Sequence, residues 1–86
     1  MLLAIDIGNT NIVFALCEKE TVRAEWRIRT DIHRTADEYA VWLFTLMNQA
    51  KLPVSDVKAA IVSSVVPDAN FAIKTFIRNH MKCDPY

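Results

Sequence analysis

The sequence predicts an α/β domain of order β-β-β-α-β-α, built on a mixed sheet of order 3-2-1-4 that is incomplete within this chain. Three observations carry that expectation. Two apolar runs, Leu2–Ile5 and Ile12–Cys17, flank the stretch Asp6–Asn11, which does not match them. The segment "TVRAEWRIR" alternates strictly, with Val22, Ala24, Trp26 and Ile28 on one side. At "TADE" the apolar period then changes from that of a strand to that of a helix.

Each element has a local reason. Leu2–Ile5 is continuously apolar and bounded by turn chemistry, which suits a strand covered on both faces. Asn11–Cys17 reads as a second such strand, and Glu18–Glu20 as a short polar turn. The alternating third strand turns Thr21, Arg23, Glu25, Arg27 and Arg29 outward, as expected near a sheet edge. "TADE" is a capping box, with Thr35 as N-cap and Glu38 three residues on. Ala36, Tyr39, Ala40, Leu43, Leu46, Met47 and Ala50 follow at helical spacing, so a helix is expected over Ala36–Ala50. Pro53 forbids its continuation. "KAAIVSS" supplies a fourth strand, with Ala59–Val62 buried on both faces. Pro67 and Asp68 open a second helix over Ala69–Met81, with Ile73, Phe76, Ile77 and Met81 inward.

Topology adds constraints. The third strand of a meander runs parallel to the first, so the helix leading to the fourth strand makes a right-handed crossover. The fourth strand then pairs with the first, and both helices fall on one face. The other face of strands one and four has nothing in these 86 residues to cover it. A fifth strand is expected beyond the fourth, about where Tyr86 stands. These residues therefore read as the first part of a longer protein.

Composition narrows the class. Half the residues are apolar and 23% are charged, which is globular rather than disordered. The formal net charge of zero argues against a nucleic-acid module. No apolar run reaches the roughly 18 residues of a membrane span. No basic leader precedes the first strand, and the two cysteines, Cys17 and Cys83, lack metal or redox spacing. A cytoplasmic protein without membrane or nucleic-acid partners is the expectation. His33 and His80 read as surface residues, and Trp26, Tyr39 and Trp42 as packing residues.

Gly8 is the only glycine in the chain, and it stands among Asp6, Asn9, Thr10 and Asn11. A tight hairpin wants Gly, Asn or Asp anyway. The position favours more than a turn, because ligands of open α/β sheets bind beyond the carboxyl ends of the parallel strands. Gly8 allows positive φ and lets a ligand approach the backbone closely, and successive amides over Gly8–Asn11 can form an anion-binding concavity. Asp6 supplies a carboxylate for magnesium bridging phosphates. Thr30–Thr35 and Ser63–Pro67 converge on the same rim. There Arg29, Thr30 and Arg34 fit phosphate contact and a solvated face equally well. Asp37 and Glu38 default to capping, and Ser63 and Ser64 to a turn.

"DIGNTN" after an apolar strand resembles the first phosphate motif of the actin, heat-shock-70 and sugar-kinase superfamily. Together with "WRIRTDIHRTADEYAVWL" and "AAIVSSVVP", it resembles type III pantothenate kinase over nearly the whole chain. The resemblance implies a ribonuclease-H-like, actin-like ATPase fold, of which residues 1–86 are the N-terminal part of the first domain. It implies transfer of phosphate from ATP to pantothenate, the first step towards coenzyme A. It also implies magnesium, a monovalent cation (potassium or ammonium) and a homodimer. Asp6 would be the metal-side carboxylate, directly or through water, and Gly8, Asn9, Thr10 and Asn11 would hold the ATP phosphates. No catalytic residue is assigned within the chain. The family's G-A-D-R segment, with the catalytic aspartate and pantothenate contacts, is expected beyond Tyr86, as are the adenine-side loop and the cation ligand. Ala15 stands where the family often has glycine. The alternative is a nucleotide-dependent regulatory or switch protein on the same scaffold, since fold does not fix function.

Overall fold

The computed structural model describes residues Met1–Tyr86. Three strands come first: β1 (Leu2–Ile7), β2 (Asn11–Glu18) and β3 (Thr21–Arg29). Helix α1 (Ala36–Gln49), a short 3-10 turn at Val54–Asp56, β4 (Ala59–Ser64) and helix α2 (Pro67–Phe76) follow. The sheet order is β3-β2-β1-β4, with β1 antiparallel to β2, β2 antiparallel to β3, and β1 parallel to β4. Order and directions are those expected from the sequence.

Both helices lie on one face of the sheet. Period-two alternation puts Leu3, Ile5 and Ile7 of β1, and Ile12, Phe14 and Leu16 of β2, on that face, all buried. Phe14 is the centre of the contact. Its ring lies 5.0 Å from Trp42, 6.0 Å from Tyr39 and 6.4 Å from Phe76, centroid to centroid. Burying a side chain of this size contributes about 1.5–3 kcal/mol. The 17 buried residues form one cluster, and none of them is charged.

The capping box of α1 forms as expected. The Glu38 amide donates to Thr35 Oγ1 at 3.2 Å, and the Thr35 amide donates to Glu38 Oε1 at 2.8 Å. The helix ends in a left-handed Lys51, with the Leu52 amide bonded to Met47 O and the Lys51 amide to Asn48 O. That is a Schellman end with lysine where glycine is usual.

Four expectations require correction. Ala59–Val62 is not buried on both faces: the side of β1 and β4 expected to find no cover within these residues is bare, with Ile61 46% exposed and Leu2 36% exposed. Val22 is exposed because Arg23 is an extra residue between the pairs Leu16–Ala24 and Cys17–Val22, a bulge that interrupts the alternation. The second helix begins at Pro67, two residues early, because proline's fixed φ suits the first helical position. It also does not run unbroken to Met81, since Ile77–Met81 is a π-helical segment ending in left-handed Lys82. Along the outer edge of β4, Tyr86 donates from its amide to Ala60 O at 2.8 Å and accepts from the Val62 amide at 2.9 Å. Pro85 and Tyr86 thus begin a parallel pairing at the position expected for a fifth strand.

Candidate active site

The carboxyl ends of β1, β3 and β4 reach the same rim, since all three strands run in one direction. Three loops meet there: Gly8–Thr10, Thr30–Thr35 and the turn after Ser64. The Val65 amide donates to Ile7 O at 3.0 Å, so the third loop is fastened to the end of β1. Ser64 Oγ accepts from the Val66 amide at 3.1 Å, which closes the turn the serines were expected to make.

The Gly8 amide donates to Asn11 O at 3.0 Å and closes the hairpin. Neither Gly8 nor any residue of the loop has positive φ. The expectation that glycine serves a left-handed backbone is therefore corrected. A Cβ at Gly8 would lie 3.1 Å from Asn11 O, so glycine permits the close approach of two backbones. The favoured two-residue hairpins do need positive φ, so this loop is not built as an ordinary tight hairpin. The Asn9 and Thr10 amides donate to no group of the chain. Two adjacent free N–H groups at the end of a parallel strand are what an anion-binding turn requires.

Asp6 stands one step back from the loop, on the sheet face that the helices leave open. It is exposed and carries no ion pair. Register sets it beside Ser63 of β4 and Val13 of β2. The two polar side chains edge a hollow of about 210 Å³ whose floor is Ala4, Val13, Ala15 and Ile61. A free carboxylate beside a turn of free amides fits magnesium, which takes one or two carboxylates and completes its shell with phosphate oxygens and water. No cluster of three acidic, His or Cys side chains stands in the chain. Asn11 begins β2 opposite Arg29 of β3, and alternation puts both on the same open face as Asp6. Asp6, Gly8, Asn9, Thr10 and Asn11 thus occupy one continuous corner.

Two neighbouring residues are committed to the scaffold. Arg34 donates from Nη2 to Arg29 O at 3.2 Å, and its guanidinium lies 5.9 Å from the Tyr39 ring centroid. Thr30 donates from its amide to Thr10 O at 2.9 Å and from its hydroxyl to Gly8 O at 2.7 Å. Arg23 and Arg27, both exposed, pair with Glu18 and Glu25. A larger hollow, of about 450 Å³, lies away from Asp6, between the start of α1 and α2. Sequence reasoning read His80 as a surface residue and Asp37 as a cap. Asp37 does stand in the first turn of α1, and the two also pair with each other, 43 positions apart, a contact no local pattern announces.

A family model described as type III pantothenate kinase matches residues 2–86. The type III pantothenate kinase of Paramagnetospirillum magneticum is 54% identical over 85 residues, covering 99% of this chain and 33% of the relative. The one from Rhodospirillum centenum is 52% identical over the same shares. The one from Maricaulis maris is 46% identical, again over 99% of this chain and 33% of its own length. The chain spans about a third of the length of the curated relatives it matches. No helix is long and apolar enough to cross a membrane.

Proposed function

The chain belongs to the type III pantothenate kinase family, and on that premise we propose that it supplies the ATP-phosphate-binding turn of a pantothenate kinase. The reaction is transfer of the γ-phosphoryl group of ATP to the pantothenate hydroxyl, which opens coenzyme A synthesis. The observation that carries the reading is the turn itself, with the free amides of Asn9 and Thr10 next to the unpaired Asp6 carboxylate.

Phosphoryl transfer asks little covalent chemistry of the protein. Rate comes from positioning and from stabilising charge on the transferred group. The Asn9 and Thr10 amides hold phosphate oxygens in fixed directions without a side-chain entropy cost. Their neutrality matters, since they bind the anion without adding a cation that would have to be desolvated. Asp6 would hold a magnesium ion, directly or through water, and that ion would supply charge neutralisation for the phosphates. Asn9, Thr10 and Asn11 side chains add polar contacts around the phosphates. The general base, the pantothenate contacts and the monovalent-cation ligand belong to residues beyond Tyr86. In this reading residues 1–86 are the first part of a cytoplasmic homodimeric enzyme with a second ribonuclease-H-like domain.

The test is Asp6→Asn in the full-length protein. Its shape is nearly unchanged and Asp6 is exposed, so folding should be unaffected by circular dichroism. Turnover of pantothenate should fall by at least about a hundredfold, the scale of losing one main electrostatic contact in the transition state. Near-normal turnover in the folded variant would overturn the assignment.

A further inference from the structure

We propose that Thr30 is a positioning residue, which sets the direction in which the phosphate turn presents its amides. The inference rests on the phosphate-turn reading above and goes beyond it to a residue that touches no phosphate. Thr30 stands immediately after β3, across from the β1–β2 loop. It contacts that loop twice, through its amide to Thr10 O at 2.9 Å and through its hydroxyl to Gly8 O at 2.7 Å.

A peptide unit is planar and trans, so its N–H points opposite to its C=O. Holding Gly8 O towards Thr30 therefore turns the Asn9 N–H away from Thr30. Holding Thr10 O towards Thr30 turns the Asn11 N–H away in the same manner. The two contacts bracket the Asn9–Thr10 segment, whose amides are left without partners inside the chain. Gly8 is the hinge of this arrangement: it carries no side chain to limit rotation of the Gly8–Asn9 unit. Without a donor holding Gly8 O, that unit is free to rock and the Asn9 amide loses its aim. The hydroxyl of a side chain 22 positions away supplies the lock. It is partly buried, so water replaces it poorly.

The direct role, a Thr30 hydroxyl donated to a phosphate, conflicts with this geometry. The single hydroxyl proton is already given to Gly8 O at 2.7 Å.

The experiment compares Thr30→Val and Thr30→Ser in the full-length protein. Valine keeps the shape and the backbone amide but removes the hydroxyl; serine keeps it. Steady-state kinetics with each substrate varied, and equilibrium binding of magnesium-ATP, are measured well below the unfolding temperature of each variant. We expect Thr30→Val to weaken magnesium-ATP binding and kcat/KM for ATP about tenfold, the scale of one hydrogen bond to a binding group. KM for pantothenate should stay within about twofold, and Thr30→Ser should restore ATP binding to within about twofold of wild type. A merely structural role would lower thermal stability and leave the ratio of the two KM values unmoved. Equal losses on both substrates, unchanged ATP binding in Thr30→Val, or failure of serine to rescue each overturn the proposal. Magnesium-ATP binding separates it from the kinase reading. A wild type that binds magnesium-ATP without turning over pantothenate overturns the kinase reading, while the valine and serine affinities still decide the role of Thr30. A wild type with no affinity for magnesium-ATP overturns both.

Discussion

His80 Nε2 lies 2.9 Å from Asp37 Oδ1, which ties the π-helical end of α2 to the first turn of α1. The imidazole also stacks on Phe76, with centroids 6.2 Å apart and planes at 27°, and meets Phe44 edge-on. The aspartate is largely exposed, so the polar pair contributes about 0.2–1 kcal/mol. The ring contacts add to it. His80→Ala should therefore cost about 1 kcal/mol in urea unfolding. A double-mutant cycle with Asp37→Ala should return a coupling of about 0.5 kcal/mol, separating the pair from Asp37's interaction with the helix dipole. A coupling of zero would mean that the contact has no energetic weight.

Lys51 is the clearest case of a residue at odds with its backbone. Its φ is 60°, at the position after the α1 cap where glycine is favoured. A left-handed conformation costs a non-glycine residue roughly 1–2 kcal/mol, and glycine returns part of that as extra unfolded-state entropy, about 0.5–1 kcal/mol. Lys51→Gly should stabilise the chain by about 0.5–1 kcal/mol in urea unfolding. A loss of stability would show that the lysine stem contributes packing that outweighs the strain.

The strand order and the crossover from β3 to β4 were legible because each rests on a short pattern: two apolar runs around the stretch Asp6–Asn11, one strict alternation, one capping box. The π segment at Ile77–Met81 was not. Ile73, Phe76, Ile77 and Met81 face inward whether that turn is regular or widened, so the apolar period does not distinguish the two. Gly8 was legible as special, but positive φ was the wrong reason. Its need is a 3.1 Å approach to Asn11 O rather than positive φ, and only paired strands reveal such an approach. The Asp6–Asn11 corner could be read from residue types. The lock from Thr30 could not, because its register across β2 and β3 depends on where the Arg23 bulge falls.

Tyr39 makes stability depend on pH at the alkaline end. Burial raises its pKa above the usual 10.0, and the nearby Arg34 guanidinium offsets only part of that. The unfolded chain therefore releases this proton first. Below about pH 10 both states keep the proton and the stability is fully present. As pH rises through the folded-state value, the unfolded state is favoured and stability is lost. Urea midpoints should hold steady below about pH 10 and fall as the pH rises beyond it. Tyr39→Phe, which keeps the ring packed on Phe14 and Phe76, should flatten that part of the profile. An equally steep fall in the phenylalanine variant would assign the effect to other groups.

The open face of the sheet carries the last prediction. Ile61 and Leu2 are 46% and 36% exposed there, and the hollow between β1, β2 and β4 has an almost wholly apolar floor. Apolar area of this kind rarely stays bare in solution. The 86-residue polypeptide by itself should therefore self-associate through that face. Ile61→Glu is a clean probe, because the side chain points away from the core and its loss leaves the helix-covered face intact. Completing the burial of a half-exposed isoleucine contributes about 1 kcal/mol per protomer, hence about 2 kcal/mol in a symmetric pair, and a buried unpaired carboxylate opposes association further. The dissociation constant should rise by at least about tenfold. Sedimentation velocity over a concentration series reads this directly, with circular dichroism to verify the fold. A wild-type chain that stays monomeric at every concentration would overturn the prediction, and an Ile61→Glu variant that associates equally well would place the contact elsewhere.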